Sequence, residues 1–183
     1  DGTKSGIAKS IFVVGNDVYV AGYESNAAFN MDAKYWKNGI AVTLTDGTKS
    51  AFANSIFVTG NDVYVAGYEI NAASKGVAKY WKNGIAVNLT DGTKSAYASS
   101  VVVSGSDVYV AGYEENATGK LVAKYWKNGV STNLSDGSIN AYGQSIFVSG
   151  SDVYVSGFET NTSSFDVLKY WKNGFVTNLS DGT

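Results

Sequence analysis

The chain has 183 residues and a formal net charge of −2; its basic side chains are all lysine, and cysteine, histidine and proline are absent. Without arginine or a basic cluster, neither nucleic-acid binding nor electrostatic attraction to a membrane surface is expected. Without cysteine or histidine, disulfides, thiolate and imidazole metal sites and a histidine general base are excluded together.

Read in chain order, the sequence states one pattern four times. Tyr-Trp-Lys-Asn-Gly recurs at Tyr35–Gly39, Tyr80–Gly84, Tyr125–Gly129 and Tyr170–Gly174, at a constant spacing of 45 residues. Cut before each Asp-Gly, the chain divides into copies at 1–45, 46–90, 91–135 and 136–180, with Asp181-Gly182-Thr183 opening a further copy. No linker or shift of composition interrupts the series, so a single domain of equivalent units is expected.

The second copy shows the elements. Ser55-Ile56-Phe57-Val58 is β-branched and aromatic, and Gly60-Asn61 is a two-residue hairpin signal. Asp62 to Glu69 forms the second strand, with Val63 and Val65 on one face and Tyr64, Ala66 and Tyr68 on the other. A polar stretch from about Ile70 to Gly76 precedes a third strand, Ala78 to Lys82. Asn83-Gly84 predicts a type I′ turn into a fourth strand, Ile85 to Thr90, because both central residues of that turn need positive φ. Asp91-Gly92-Thr93 leads into the next copy, best read as an Asx-turn; one carboxylate per corner falls short of a calcium site.

Four antiparallel strands per unit at this period predict an all-β chain, a β-propeller built from four 45-residue blades. Each blade holds its own strands in order, so closure is expected by packing of the fourth blade on the first, with no strand borrowed from the far terminus. A second copy completing an eight-bladed ring, or a longer natural array, is also compatible with the repeats.

The phrases DVYVAGYE (Asp62–Glu69), IFVSGSDVYVSG (Ile146–Gly157) and KYWKNG resemble, over the whole chain, the recently amplified β-propeller repeats of bacterial secreted or surface proteins. The resemblance implies the propeller fold and a location outside the cell, and carries no assigned activity. The Trp-Asp and Gly-His pairs of WD repeats, the double glycine of kelch repeats and the Asp-x-Asp-x-Asp-Gly loop of integrin-type repeats are absent. Tyr-Trp-Thr-Asp repeats match only at Tyr-Trp. A start at Asp1 reads as a processed or excised product, with targeting information outside it.

Trp36, Trp81, Trp126 and Trp171 are either core wedges between blades or stacking platforms for sugar rings; their mid-strand placement favours core. The second strand closes on Tyr23-Glu24, Tyr68-Glu69, Tyr113-Glu114 and Phe158-Glu159, followed by Asn26, Asn71, Asn116 and Asn161. An aromatic, a carboxylate and an amide at each blade rim suit a repeated glycan pocket. The same glutamates can instead pair with Lys34, Lys79 and their equivalents across the hairpin. The loops at Phe29–Asp32, Ser74–Val77, Gly119–Val122 and Ser164–Val167 are where the copies differ, and drift accounts for that as well as function does. The Asn-x-Ser/Thr sequons at Asn88, Asn133 and Asn178 read as incidental strand endings.

No nucleophile with a base, phosphate-binding glycine loop, metal cluster or cofactor motif is visible, so no catalytic residue, metal or cofactor is assigned and an enzyme is not expected. The leading expectation is a secreted or surface module binding glycans at several equivalent sites. A protein-interaction or structural scaffold is the alternative, and a glycosidase fragment a distant third.

Overall fold

A computed structural model describes residues 4–183, leaving the first Asp-Gly-Thr corner outside the described residues. The chain is all β, in four sheets of four antiparallel strands, each sheet made of consecutive strands. The first blade is β1 (Gly6–Val14), β2 (Asp17–Ser25), β3 (Met31–Lys37) and β4 (Ile40–Thr43). The second is β5 (Ala51–Thr59), β6 (Asp62–Ile70), β7 (Gly76–Lys82) and β8 (Ile85–Asn88). The third is β9 (Ala96–Ser104), β10 (Asp107–Glu115), β11 (Leu121–Lys127) and β12 (Val130–Asn133). The fourth is β13 (Ala141–Ser149), β14 (Asp152–Thr160), β15 (Asp166–Lys172) and β16 (Phe175–Asn178). No helix among the described residues is long and apolar enough to cross a membrane.

The turns follow from their residues. Asn83 and Gly84 have φ of 52° and 84°, as a type I′ turn requires. The Asn83 side chain also accepts the Val63 N–H at 2.9 Å and donates to Asp62 at 2.7 Å, so one amide closes both hairpins at that end of the blade. Lys82 bonds the same aspartate at 2.9 Å, and with Asn83 it holds the Asp62 carboxyl below its usual range. This arrangement recurs on Asp17, Asp107 and Asp152.

The first strand of each blade lies innermost and the short fourth strand is exposed at the rim. Blades pack face to face, as the alternation on the second strand predicts. Val63, Val65 and Trp81 of the second blade share one buried cluster with Tyr19, Ala21 and Ala33 of the first. The third and fourth blades repeat the arrangement around Trp126 and Trp171. These three tryptophans are core, as expected, and Trp81 is only 1% exposed.

Two expectations need correction. The inner strand begins earlier than its apolar run: β5 starts at Ala51, because a β-bulge between Ala53 and Ser55 breaks the alternation that reveals a strand. The second correction concerns closure. Among the described residues the packing seen at the three internal junctions does not recur between the fourth blade and the first. Ile11 is 64% exposed, whereas its equivalent Ile56, covered by the preceding blade, is 4% exposed. With Phe147 of the fourth blade also 63% exposed, the four blades form an open arc.

Candidate functional site

Each inner-strand bulge leaves one residue out of the pairing ladder: Lys9, Asn54, Ser99 and Gln144. A bulge re-aims the side chain it carries, and here all four turn toward the axis. Opposite each bulge the second strand has a glycine. A Cβ on Gly67 would lie inside the van der Waals shell of the Phe52 carbonyl oxygen, and Gly22, Gly112 and Gly157 meet the same obstacle. Glycine therefore makes room for the bulge, and the bulge places the polar residue.

These four side chains, with Tyr68 and Tyr113, line an axial cavity of about 340 Å³. Asn54 Nδ2 donates to the Ala98 carbonyl of the next blade at 2.9 Å, fixing its amide while leaving Oδ1 available. The two tyrosines belong to a continuous aromatic belt. Tyr23 meets Phe52 edge-on at 4.9 Å, and Phe52 stacks on Tyr68 at 4.7 Å. The chain of rings runs on through Tyr97, Tyr113 and Tyr142 to Phe158, where the last pair stacks at 4.5 Å.

Burial, reinforced by Tyr97, Tyr113 and Tyr23, pushes the Tyr68 phenol up to about 12, and burial also raises Tyr113. The Tyr68 value in the fold lies above the ordinary 10.0, so the stabilisation from burying its neutral form is full below pH 10 and is lost as pH climbs toward 12. Absorbance titration of the phenols is expected to show a late-ionising tyrosine that disappears in Tyr68→Phe; an unchanged late step would show that another ring carries it.

The remaining residues singled out from the sequence are engaged within the structure. Glu24 pairs with Lys34 at 2.8 Å and Glu159 with Lys169 at 2.6 Å; Glu69 with Lys79 and Glu114 with Lys124 do the same. The bond from Lys34 holds the Glu24 carboxyl below its ordinary range. Asn71 Oδ1 accepts the Ala73 and Lys75 N–H groups, and its Nδ2 donates to the Gly92 carbonyl at 2.9 Å. It thus folds its own loop and ties it to the following corner. Asn26, Asn116 and Asn161 act alike, on Gly47, Gly137 and Gly182. Asn161 also borders a polar cleft of about 420 Å³ between the third and fourth blades, with Lys120, Ser138 and Thr160.

Of the rim triplets, then, Tyr68 and Tyr113 reach the axial cavity, while the carboxylates and amides hold the framework around it. Sequence reasoning passed over Lys9, Asn54, Ser99 and Gln144. The signal was available: one position differs in every copy, is always polar, and lies between a small residue and an invariant serine (Ala8-Lys9-Ser10, Gly143-Gln144-Ser145). Among the described residues no cluster of three or more acidic, imidazole or thiol groups is placed to hold a metal ion.

No protein-family model matches the chain, and no curated protein matches it. Solved structures do. A fucose lectin from Kordia zhangzhouensis, in complex with methyl-fucoside, is similar with a TM-score of 0.51 and 11% identity, over 70% of this chain and 99% of the lectin. A GH43_12 protein retrieved from a capybara gut metagenome is similar with a TM-score of 0.53 and 14% identity, over 97% of this chain and 42% of that one. The α-L-arabinofuranosidase PaAbf62A from Podospora anserina, in complex with cellotriose, is similar with a TM-score of 0.51 and 12% identity, over 94% and 65%. The chain thus spans less than two thirds of these last two proteins. At such identities the likeness shows the propeller fold alone. It nonetheless overturns the expectation that this chain is not an enzyme: an arabinofuranosidase is built on the same fold, so repeated blades give no ground for excluding catalysis.

Proposed function

We propose that the chain binds saccharides in the axial cavity. The observation that carries this reading is the composition of the wall: Tyr68 and Tyr113 line the same space as Lys9, Asn54, Ser99 and Gln144. Sugars present a rim of hydroxyls, which phenol, amide, hydroxyl and ammonium groups hold by hydrogen bonds. About 340 Å³ lies within the range of small-ligand sites and suits one or two sugar rings. The fold's occurrence in a lectin carrying methyl-fucoside and in a protein carrying cellotriose supports the same ligand class. Tyr68 and Tyr113 are the contact residues of the rim triplets; Glu69, Asn71, Glu114 and Asn116 hold them in place. The four different polar side chains make the cavity asymmetric, so one oriented ligand is favoured over identical sites on every blade.

A glycan array that includes fucosides and arabinosides, followed by calorimetry on the hits, tests this. Gln144→Ala and Ser99→Ala are each expected to weaken binding about three- to tenfold, the loss of one or two hydrogen bonds, with thermal stability unchanged. A blank array, or hits indifferent to both substitutions, would remove the axial cavity as a saccharide site.

A further inference from the structure

The two end faces of the arc carry the two halves of the junction that repeats inside it. On the first blade Ile11, Val13 and Val18 are exposed where Ile56, Val58 and Val63 are buried against a preceding blade. On the fourth, Phe147 is 63% exposed, on the face that in the first blade packs against the next one through Phe12 and Tyr19. The polar half of the junction is also open. Ser10 Oγ accepts the Ile56 N–H at 3.2 Å, Ser55 accepts that of Val101 at 3.2 Å, and Ser100 accepts that of Ile146 at 3.3 Å. Ser145 receives no such donor among the described residues, and the Ile11 N–H meets no such hydroxyl.

A second observation concerns size. At every internal junction two alanines, one from each blade, share the buried cluster: Ala33 with Ala51, Ala78 with Ala96, and Ala123 with Ala141. At the open ends both alanines have changed, in opposite directions. The fourth blade has the larger Leu168, exposed, and the first has Gly6. Gly6 borders an apolar cavity of about 330 Å³ on the uncovered face, together with Val18, Val20 and Trp36. Ile7, also on its wall, replaces the larger aromatic ring present in the other copies. A leucine at one end and vacated volume at the other are complementary.

We propose that two copies of this chain join head to tail at both ends, the fourth blade of each on the first blade of the other, closing an eight-bladed ring about a two-fold axis. The occupant is fixed by continuity with the internal junctions, since each face already matches its counterpart on the same chain. Two is the smallest number of copies that covers both end faces of each. A single copy leaves its ends apart, two give eight blades, and three would exceed the usual four to eight. The axial wells of the two copies then open onto one shared axis.

The mass of the 183-residue chain in solution tests this, independently of any ligand. Native mass spectrometry and light scattering are expected to give twice 19.3 kDa. Ile11→Asp and Phe147→Asp, both at positions exposed in the single chain, are each expected to give a folded monomer with unchanged circular dichroism. Mixing the two variants restores one junction and should return an open dimer. A monomeric parent chain at high concentration overturns the proposal, as does a trimer or an open-ended series. Retention of the closed dimer by Phe147→Asp would do so too, because it would mean that first blades pair with each other.

Discussion

Replacing Trp126 by alanine is expected to lower the unfolding free energy by about 3–5 kcal/mol, the cost of emptying a large aromatic site in a packed interior. Trp126 is almost fully buried and belongs to the cluster in which Val108 and Val110 of its own blade meet Tyr64, Ala66 and Ala78 of the preceding one. Both faces of the resulting cavity are sheets tied by their own ladders, so neither collapses easily. Trp36 occupies the equivalent place on the first blade, where no preceding blade covers it. Trp36→Ala, measured at a dilution that keeps the chain monomeric, should therefore cost much less. Urea denaturation followed by circular dichroism reads both, and equal losses would show that the junctions are not what stabilises the blades. At concentrations that favour the dimer, the cost of Trp36→Ala should rise toward that of Trp126→Ala.

Gly67→Ala is the second change with a large expected effect, about 3 kcal/mol, the upper part of the range for overpacking. The added methyl would collide with the Phe52 carbonyl, a backbone atom that cannot yield unless the bulge at Asn54 is undone. Gly60 is the informative control. It has a positive φ of 56° and open space around it, so alanine there meets only the left-handed backbone penalty of about 1–2 kcal/mol. The two variants should also differ in function: Gly67→Ala displaces Asn54 and weakens ligand binding, whereas Gly60→Ala leaves it intact. Equal stability losses at the two positions would mean that the bulge is not constrained by its glycine.

The architecture was legible because the repeat states each rule four times. The positive φ of Asn83-Gly84, the alternation of Val63 and Val65 against Tyr64 and Ala66, and the burial of Trp81 all follow from local pattern; the turn recurs in all four copies and the burial at each internal junction. The pairing of Glu24 with Lys34 was also within reach, since the hairpin brings those strands together. The axial residues were missed for a physical reason. A bulge adds one residue to the period of two, so Ala51-Phe52-Ala53-Asn54 reads as loop rather than as the start of β5. Closure of the ring was misjudged because near-identical copies specify the junction between neighbours but not the angle each blade subtends.

The local hydrogen bonding of each blade has a bearing on how such a chain changes length over generations. Since every sheet is complete within its own 45 residues, duplicating or deleting one copy leaves no strand without its ladder partners. Gaining or losing one whole copy therefore adds or removes one junction and leaves the other sheets as they are. What such an event alters is the fit at the two ends, where Gly6 and Leu168 depart from the common pattern. Selection on copy number would then act on how the ends meet, while the interior of each unit stays free to be copied as it is.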